Sequence, residues 1–149
     1  MLVKDVCTPD VVCCEPQTLA RDAARLMRNR HVGDLVVVNE LEGERVPLGV
    51  VTDRDLTVEV LGNGRDPATT IVADFVRQPV VIAHEEEDCS QVIDRMRQNG
   101  VRRVPVVDGR GAAIGIITLD DLLRVFVNEA SALLEIMEAG ENRERRTRR

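Results

Sequence analysis

The feature that most constrains this chain is that it repeats itself. Lys4-Asp5-Val6 matches Ala73-Asp74-Phe75, and Asp10-Val11-Val12 matches Pro79-Val80-Val81, both at an offset of 69 positions. Ala20, Ala23, Ala24 and Met27 match Cys89, Val92, Ile93 and Met96 at the same offset. Each set falls at i, i+3, i+4, i+7, which makes one apolar stripe on a helix. Val32-Gly33-Asp34-Leu35-Val36-Val37-Val38 then matches Val101-Arg102-Arg103-Val104-Pro105-Val106-Val107. Gly49-Val50-Val51-Thr52 matches Gly115-Ile116-Ile117-Thr118 at an offset of 66, so three residues are lost between the strands. A chain built this way is two copies of one supersecondary unit.

Each copy reads as short strand, helix, strand, turn, strand, helix. Strands are expected at Leu35–Val38, Leu48–Val51, Val104–Val107 and Ile114–Ile117. Asn39 to Pro47 reads as a longer polar loop, and Asp108-Gly109 as a hairpin turn. The first helix of the second copy opens on Asp88-x-x-Gln91, a capping-box pattern, and stops near Asn99-Gly100. Gly62 to Pro67 breaks structure between the copies. This gives an α/β (α+β) chain with a first repeat at 1–63, a linker at 64–70, a second repeat at 71–127, a helical extension at 128–140 and a tail at 141–149. A copy of roughly 60 residues is marginal alone. The two sheets are therefore expected to bury their apolar faces against each other as an intramolecular pseudo-dimer.

Composition narrows the function. Phe75 and Phe126 are the only aromatic residues, which disfavours a protein that stacks nucleic-acid bases. From Glu141 to Arg149 five arginines face two glutamates, a net of +3, leaving −9 for residues 1–140 out of a total of −6. An acidic body argues against nucleic-acid binding, and the basic tail reads as a solvated, disordered end. Cys7, Cys13, Cys14 and Cys89 form no Cys-x-x-Cys and no zinc spacing, so they read as small buried hydrophobes in a reducing compartment. The absence of a long apolar run or a signal-peptide pattern points to the cytoplasm and away from a membrane. His31 and His84 lack ligand-spaced partners. Glu85-Glu86-Glu87-Asp88 reads as a solvated run ahead of a helix. No nucleophile set, P-loop or dinucleotide-binding glycine pattern is present, so no catalysis and no catalytic cofactor are expected.

Both copies close their last strand with Gly-h-h-Thr-x-x-Asp, where h is aliphatic: Gly49 to Asp55, and Gly115 to Asp121. Thr-x-x-Asp at a strand-to-helix junction is an N-cap with an acid in the first turn. The same geometry offers a hydroxyl and free N–H groups to a phosphate and a carboxylate to ribose hydroxyls. Taken together, Ala23-x-x-x-Met27, Gly49-x-x-Thr52-Asp53-Arg54-Asp55, Val92-x-x-x-Met96, Val101 to Val107 and Gly115-x-x-Thr118-x-x-Asp121 resemble a tandem pair of CBS domains, a Bateman module, of the small stand-alone bacterial type. The resemblance covers roughly residues 2–126.

That resemblance implies a regulatory module that binds an adenosine-containing ligand (AMP, ADP, ATP, NAD or S-adenosylmethionine) between the repeats and signals to a protein partner. It implies that Thr52 and Thr118 contact phosphate or ribose, that Asp55 and Asp121 hold ribose, and that Arg103, ahead of Val104-Pro105, contacts phosphate. Backbone near Val11-Val12 and Val80-Val81 would frame the base. Asp34 stands where Arg103 has its match, which opposes phosphate in one cleft; Arg54 is the candidate to compensate. The alternative is a structural or interaction module whose clefts are empty and whose Thr-x-x-Asp motifs are only caps. The last helix keeps an apolar stripe from Leu119 to Met137 with no breaker before Gly140. The resemblance implies that such pairs associate as flat homodimers through their helices, and with this stripe it predicts a homodimer in which the last helix packs against or crosses the partner chain, the alternative being a helix folded back on its own chain.

Overall fold

The computed structural model describes residues 1–148; Arg149 lies outside them. Two sheets form. The first runs β2 (Cys13–Cys14), β3 (Asp34–Leu41), β4 (Glu44–Thr52), and the second runs β1 (Thr8–Pro9), β7 (Ala113–Thr118), β6 (Arg103–Val107), β5 (Ala83–His84). In each repeat a two-residue strand pairs in parallel with the first long strand, which pairs antiparallel with the second. The helices are α1 (Ala20–Arg30), the one-turn α2 (Asp53–Asp55) continued by a π-helical segment Leu56–Leu61, α3 (Cys89–Asn99) and α4 (Leu119–Thr147).

Each repeat has its own core. Ala23, Met27, Leu35, Val37 and Val51 are buried together in the first, and Val92, Met96, Val104, Val106 and Ile117 in the second. These are the helix-stripe and inward strand positions of the repeat. A third cluster joins Val36 and Val38 to Ala113 and Ile116, so the sheets meet face to face. Val11 and Val50 flank it. Two ion pairs cross the same boundary, Arg103 Nε to Asp34 Oδ2 at 2.8 Å and Arg110 to Glu44 at 2.7 Å.

The boundary in space differs from the boundary in sequence. Residues 1–9 dock on the second repeat: Val3 N–H donates to Glu87 O (2.9 Å), Cys89 N–H donates to Met1 O (2.9 Å), and β1 pairs with β7. Residues 70–77 dock on the first: Ala20 N–H donates to Thr70 O and Val72 N–H donates to Thr18 O, both 2.8 Å. Val3 and Val72 are each fully buried in the core they cross to. This exchange explains the motif glycines. A Cβ on Gly115 would stand 2.8 Å from Thr8 O, and one on Gly49 would stand 2.6 Å from Val76 Cγ2. Each crossing segment lies on the strand at the point where a side chain is missing.

Two local expectations are corrected. Asn39 to Pro47 is not a loop: β3 and β4 extend across it to a tight turn at Glu42-Gly43, whose φ values of 51° and 81° suit a two-residue hairpin. In the second repeat the turn is held by Asp108 Oδ1, which accepts from Arg110 N–H (2.8 Å) and Ala112 N–H (3.0 Å), with Gly111 at φ 84°. The tail is not disordered over its described length, because α4 runs through Gly140 to Thr147. Its Arg and Glu residues are good helix formers, and Arg148 and Glu144 pair at 3.7 Å, one turn apart.

Candidate nucleotide cleft between the repeats

The site begins with strand register. Asp34 stands opposite Thr52 on β3–β4, and Arg103 stands opposite Thr118 on β6–β7. The Asp34–Arg103 ion pair ties these two strand ends together. Both Thr-x-x-Asp motifs are thus gathered at one end of the two-sheet interface. Burial pushes the Asp34 carboxyl up from its ordinary range, and the adjacent Arg103 charge opposes that rise.

Each motif is a complete capping box. Asp55 N–H donates to Thr52 Oγ1 (3.1 Å), and Thr52 N–H donates back to Asp55 Oδ2 (2.8 Å). In the second repeat Asp121 N–H donates to Thr118 Oγ1 (3.2 Å), while Thr118 N–H (2.9 Å) and Oγ1–H (2.7 Å) both donate to Asp121 Oδ2. Capping therefore uses one oxygen of each carboxylate. Among the described residues Oδ1 of Asp55 and Oδ1 of Asp121 accept no hydrogen bond, so capping and ligand binding do not exclude each other.

Two clefts open here. The larger, about 360 Å³, is walled by Thr52, Arg54 and Asp55 on one side and by Gly100, Arg102 and Arg103 on the other, with Arg77 at its edge. It presents four arginines against Asp53 and Asp55. The smaller, about 260 Å³, lies between Asp34 of the first repeat and Arg102, Arg103, Thr118 and Asp120 of the second, where two arginines meet two aspartates. Each cleft draws walls from both repeats.

The sequence-derived site residues divide accordingly. Thr52, Arg54, Asp55 and Arg103 come together in the larger cleft, and Thr118 and Arg103 in the smaller. Asp121 is held behind Thr118, with Asp120 facing the smaller cleft instead. Val104 is fully buried in the second core and Pro105 is buried beside it, so neither side chain reaches a cleft. Val12 and Val81 pack on the edges of the two cores, Val11 lies between the sheets, and Val80 is half-buried ahead of β5.

The expected opposition between Arg103 in one cleft and Asp34 in the other does not occur. The two residues are paired with each other, and Asp34 lines the smaller cleft beside Arg103. Arg77 and Arg102 escaped the sequence reading. Arg102 stands in the Val101-to-Val107 match, but its copy-one partner is Gly33, so the repeat gave it no emphasis. Arg77 arrives on the crossing segment. The cysteines are all free thiols, and burial pushes Cys14 up to about 12. Among the described residues no group of three or more His, Cys, Asp or Glu is placed to hold a metal ion. Among the described residues no helix is long and apolar enough to cross a membrane.

Two interlocked repeats with matched Thr-x-x-Asp ends define a tandem β-α-β-β-α module. The CBS domain family model matches it twice, at residues 3–62 and 72–128, and the chain belongs to that family. It is 36% identical over 123 residues to the uncharacterized protein MK0525 of Methanopyrus kandleri, covering 83% of this chain and 61% of that one. It is 34% identical over 145 residues to the uncharacterized protein YlbB of Bacillus subtilis, covering 95% of each. Among solved structures, the CBS domain pair of protein MJ0100 in complex with 5-methylthioadenosine and S-adenosyl-L-methionine superposes with a TM-score of 0.73 at 25% identity, over 85% of this chain and 99% of that one.

Proposed function

We propose that this chain is a non-catalytic regulatory module of the cytoplasm that binds an adenosine-containing nucleotide in the larger cleft. The observation that carries the reading is the convergence there of four arginines with a Thr52–Asp55 pair whose carboxylate keeps one oxygen free. Arg54, Arg77, Arg102 and Arg103 provide the charge for a phosphate chain, and arginine forks bind phosphate oxygens in pairs. Asp55 Oδ1 accepts from ribose hydroxyls. Aliphatic walls take the adenine ring, as a core nearly free of aromatics requires.

The smaller cleft balances its charges and suits an uncharged or zwitterionic adenosine derivative. The adenosine ligands in the MJ0100 pair support this class without choosing among its members. Because each cleft is walled by both repeats, ligand shifts the packing of one repeat on the other. That shift is transmitted to a protein partner as a population change. Self-association belongs to the same reading: α4 leaves Phe126, Leu133 and Met137 more than half exposed, an apolar face that a monomer does not cover.

A thermal-shift series tests ligand binding. At a hundred times its dissociation constant, AMP, ADP, ATP, NAD or S-adenosylmethionine stabilises the fold by about 2.7 kcal/mol, roughly 5–10 °C for a chain of this size. Guanosine and cytidine nucleotides at equal concentration serve as controls. No shift with any of the five at millimolar concentration overturns the reading in favour of an interaction module with empty clefts.

A further inference from the structure

The two clefts at the repeat interface are twins by sequence and opposites by charge. The repeat offsets of 69 and 66 match Arg77 to Thr8, Arg102 to Gly33, Arg103 to Asp34 and Arg54 to Asp120. All four arginines line the larger cleft, and Asp34 and Asp120 line the smaller. No arginine of the larger cleft has a basic residue at its matched position. The positive charge of one cleft therefore has no counterpart in the other.

The smaller cleft is balanced only because it borrows. Arg102 and Arg103 line both clefts, and among the described residues they are the only cations in the lining of the smaller one. Arg103 Nε holds Asp34 Oδ2 at 2.8 Å, and the Asp34 side chain is only 20% exposed. Burial pushes the Asp34 carboxyl up, the Arg103 charge pulls it down, and the Asp53 and Asp121 carboxylates add to the rise. The charge of Asp34 thus leans on Arg103. A guanidinium has five N–H donors but a single positive charge. Nε can keep Asp34 while the Nη groups meet a phosphate, yet one cation does not neutralise both anions.

We infer that the clefts are coupled through the shared charge of Arg102 and Arg103: a phosphate chain in the larger cleft takes up that charge, and the smaller cleft then selects an adenosine derivative that carries a positive group. With the larger cleft empty, two arginines offset Asp34 and Asp120. With it filled, the two aspartates face the smaller cleft uncompensated. They repel a second phosphate chain and attract an ammonium or sulfonium group. By linkage, the cationic ligand strengthens phosphate binding by the same factor. The chain then responds to the two ligands together more than to either alone. The inference rests on the reading that a nucleotide occupies the larger cleft, and it adds how that nucleotide regulates the second cleft.

Calorimetric titration of the full chain with S-adenosylmethionine, with and without saturating ATP, tests it. S-adenosylmethionine carries a sulfonium and an ammonium against one carboxylate, whereas 5-methylthioadenosine is uncharged. ATP tightens S-adenosylmethionine binding about 5-fold or more, and the gain shrinks as salt is added. The same ATP changes 5-methylthioadenosine binding by less than about 2-fold. Asp34→Asn, with its fold checked by circular dichroism, binds ATP more tightly than wild type because Arg103 is released to the phosphate, and it loses most of the gain. If ATP leaves S-adenosylmethionine binding unchanged, weakens it or abolishes it while itself binding saturably, the inference fails and the nucleotide reading stands. Equal gains for the charged and uncharged ligands trace the coupling to repeat packing and overturn the inference as well. So does a full gain in Asp34→Asn. If ATP does not bind wild type saturably, the nucleotide reading itself fails. Should the variant not fold, the two ligands compared on wild type still decide.

Discussion

Replacing Asp55 by alanine weakens binding of a phosphorylated adenosine ligand about 10- to 150-fold, or about 1.5–3 kcal/mol. Thr52 N–H occupies Oδ2 at 2.8 Å, which fixes the carboxylate of a residue that lines the larger cleft and leaves Oδ1 for a ligand. A carboxylate pre-oriented by the fold loses little entropy when it accepts from ribose hydroxyls, and its charge strengthens each bond. The alanine variant loses both bonds and the orientation. It also loses part of the α2 cap, at a cost of about 1 kcal/mol in stability, so affinities are compared well below the melting temperature of both proteins. Asp121→Ala removes the carboxylate that holds Thr118 at the smaller cleft and leaves the four-arginine cleft intact. Its effect on a phosphorylated ligand is correspondingly smaller. If Asp55→Ala and wild type bind such a ligand equally by calorimetry, the ribose assignment is wrong.

The second large effect is on stability. Leu35→Ala costs about 2–5 kcal/mol, the range for a leucine truncated in a core that cannot collapse around the cavity. Leu35 is fully buried among Ala23, Met27, Val51 and Val72. Val72 comes from the crossing segment, so the cavity opens at the point where the linker region is fastened to the first repeat. Urea denaturation with an unchanged m-value reads the loss directly. A change below about 1 kcal/mol would mean that this cluster is not the close-packed core the structure places there.

The repeat was legible because apolar stripes at 3–4 spacing and strand glycines recur at a fixed offset, and nothing else produces that pattern. The exchange of residues 1–9 and 70–77 was not legible. The two lead segments have the same pattern, and self-similarity cannot say which lead lies on which repeat. The Asp34–Arg103 pair was misread for a related reason. Matched positions near the axis of a pseudo-dimer face each other, so opposite charges at matched positions neutralise instead of dividing two sites. Gly140 read as a stop, but a single glycine costs a helix only about 1 kcal/mol, and the helix formers on both sides carry α4 past it. At the site, the Thr and Asp residues were legible from the motif, whereas Arg77 and Arg102 came into view only once the fold brought both repeats to one cleft.

Calorimetric titration of the wild-type chain with ATP tests the central claim most directly, with Arg102→Ala/Arg103→Ala as its companion. The account predicts saturable binding at one tighter site per chain, weakened by added salt and weakened at least tenfold in the double variant. Absence of saturable heat with ATP, AMP and S-adenosylmethionine up to millimolar concentration would contradict it. So would ATP binding that the loss of both arginines leaves unchanged.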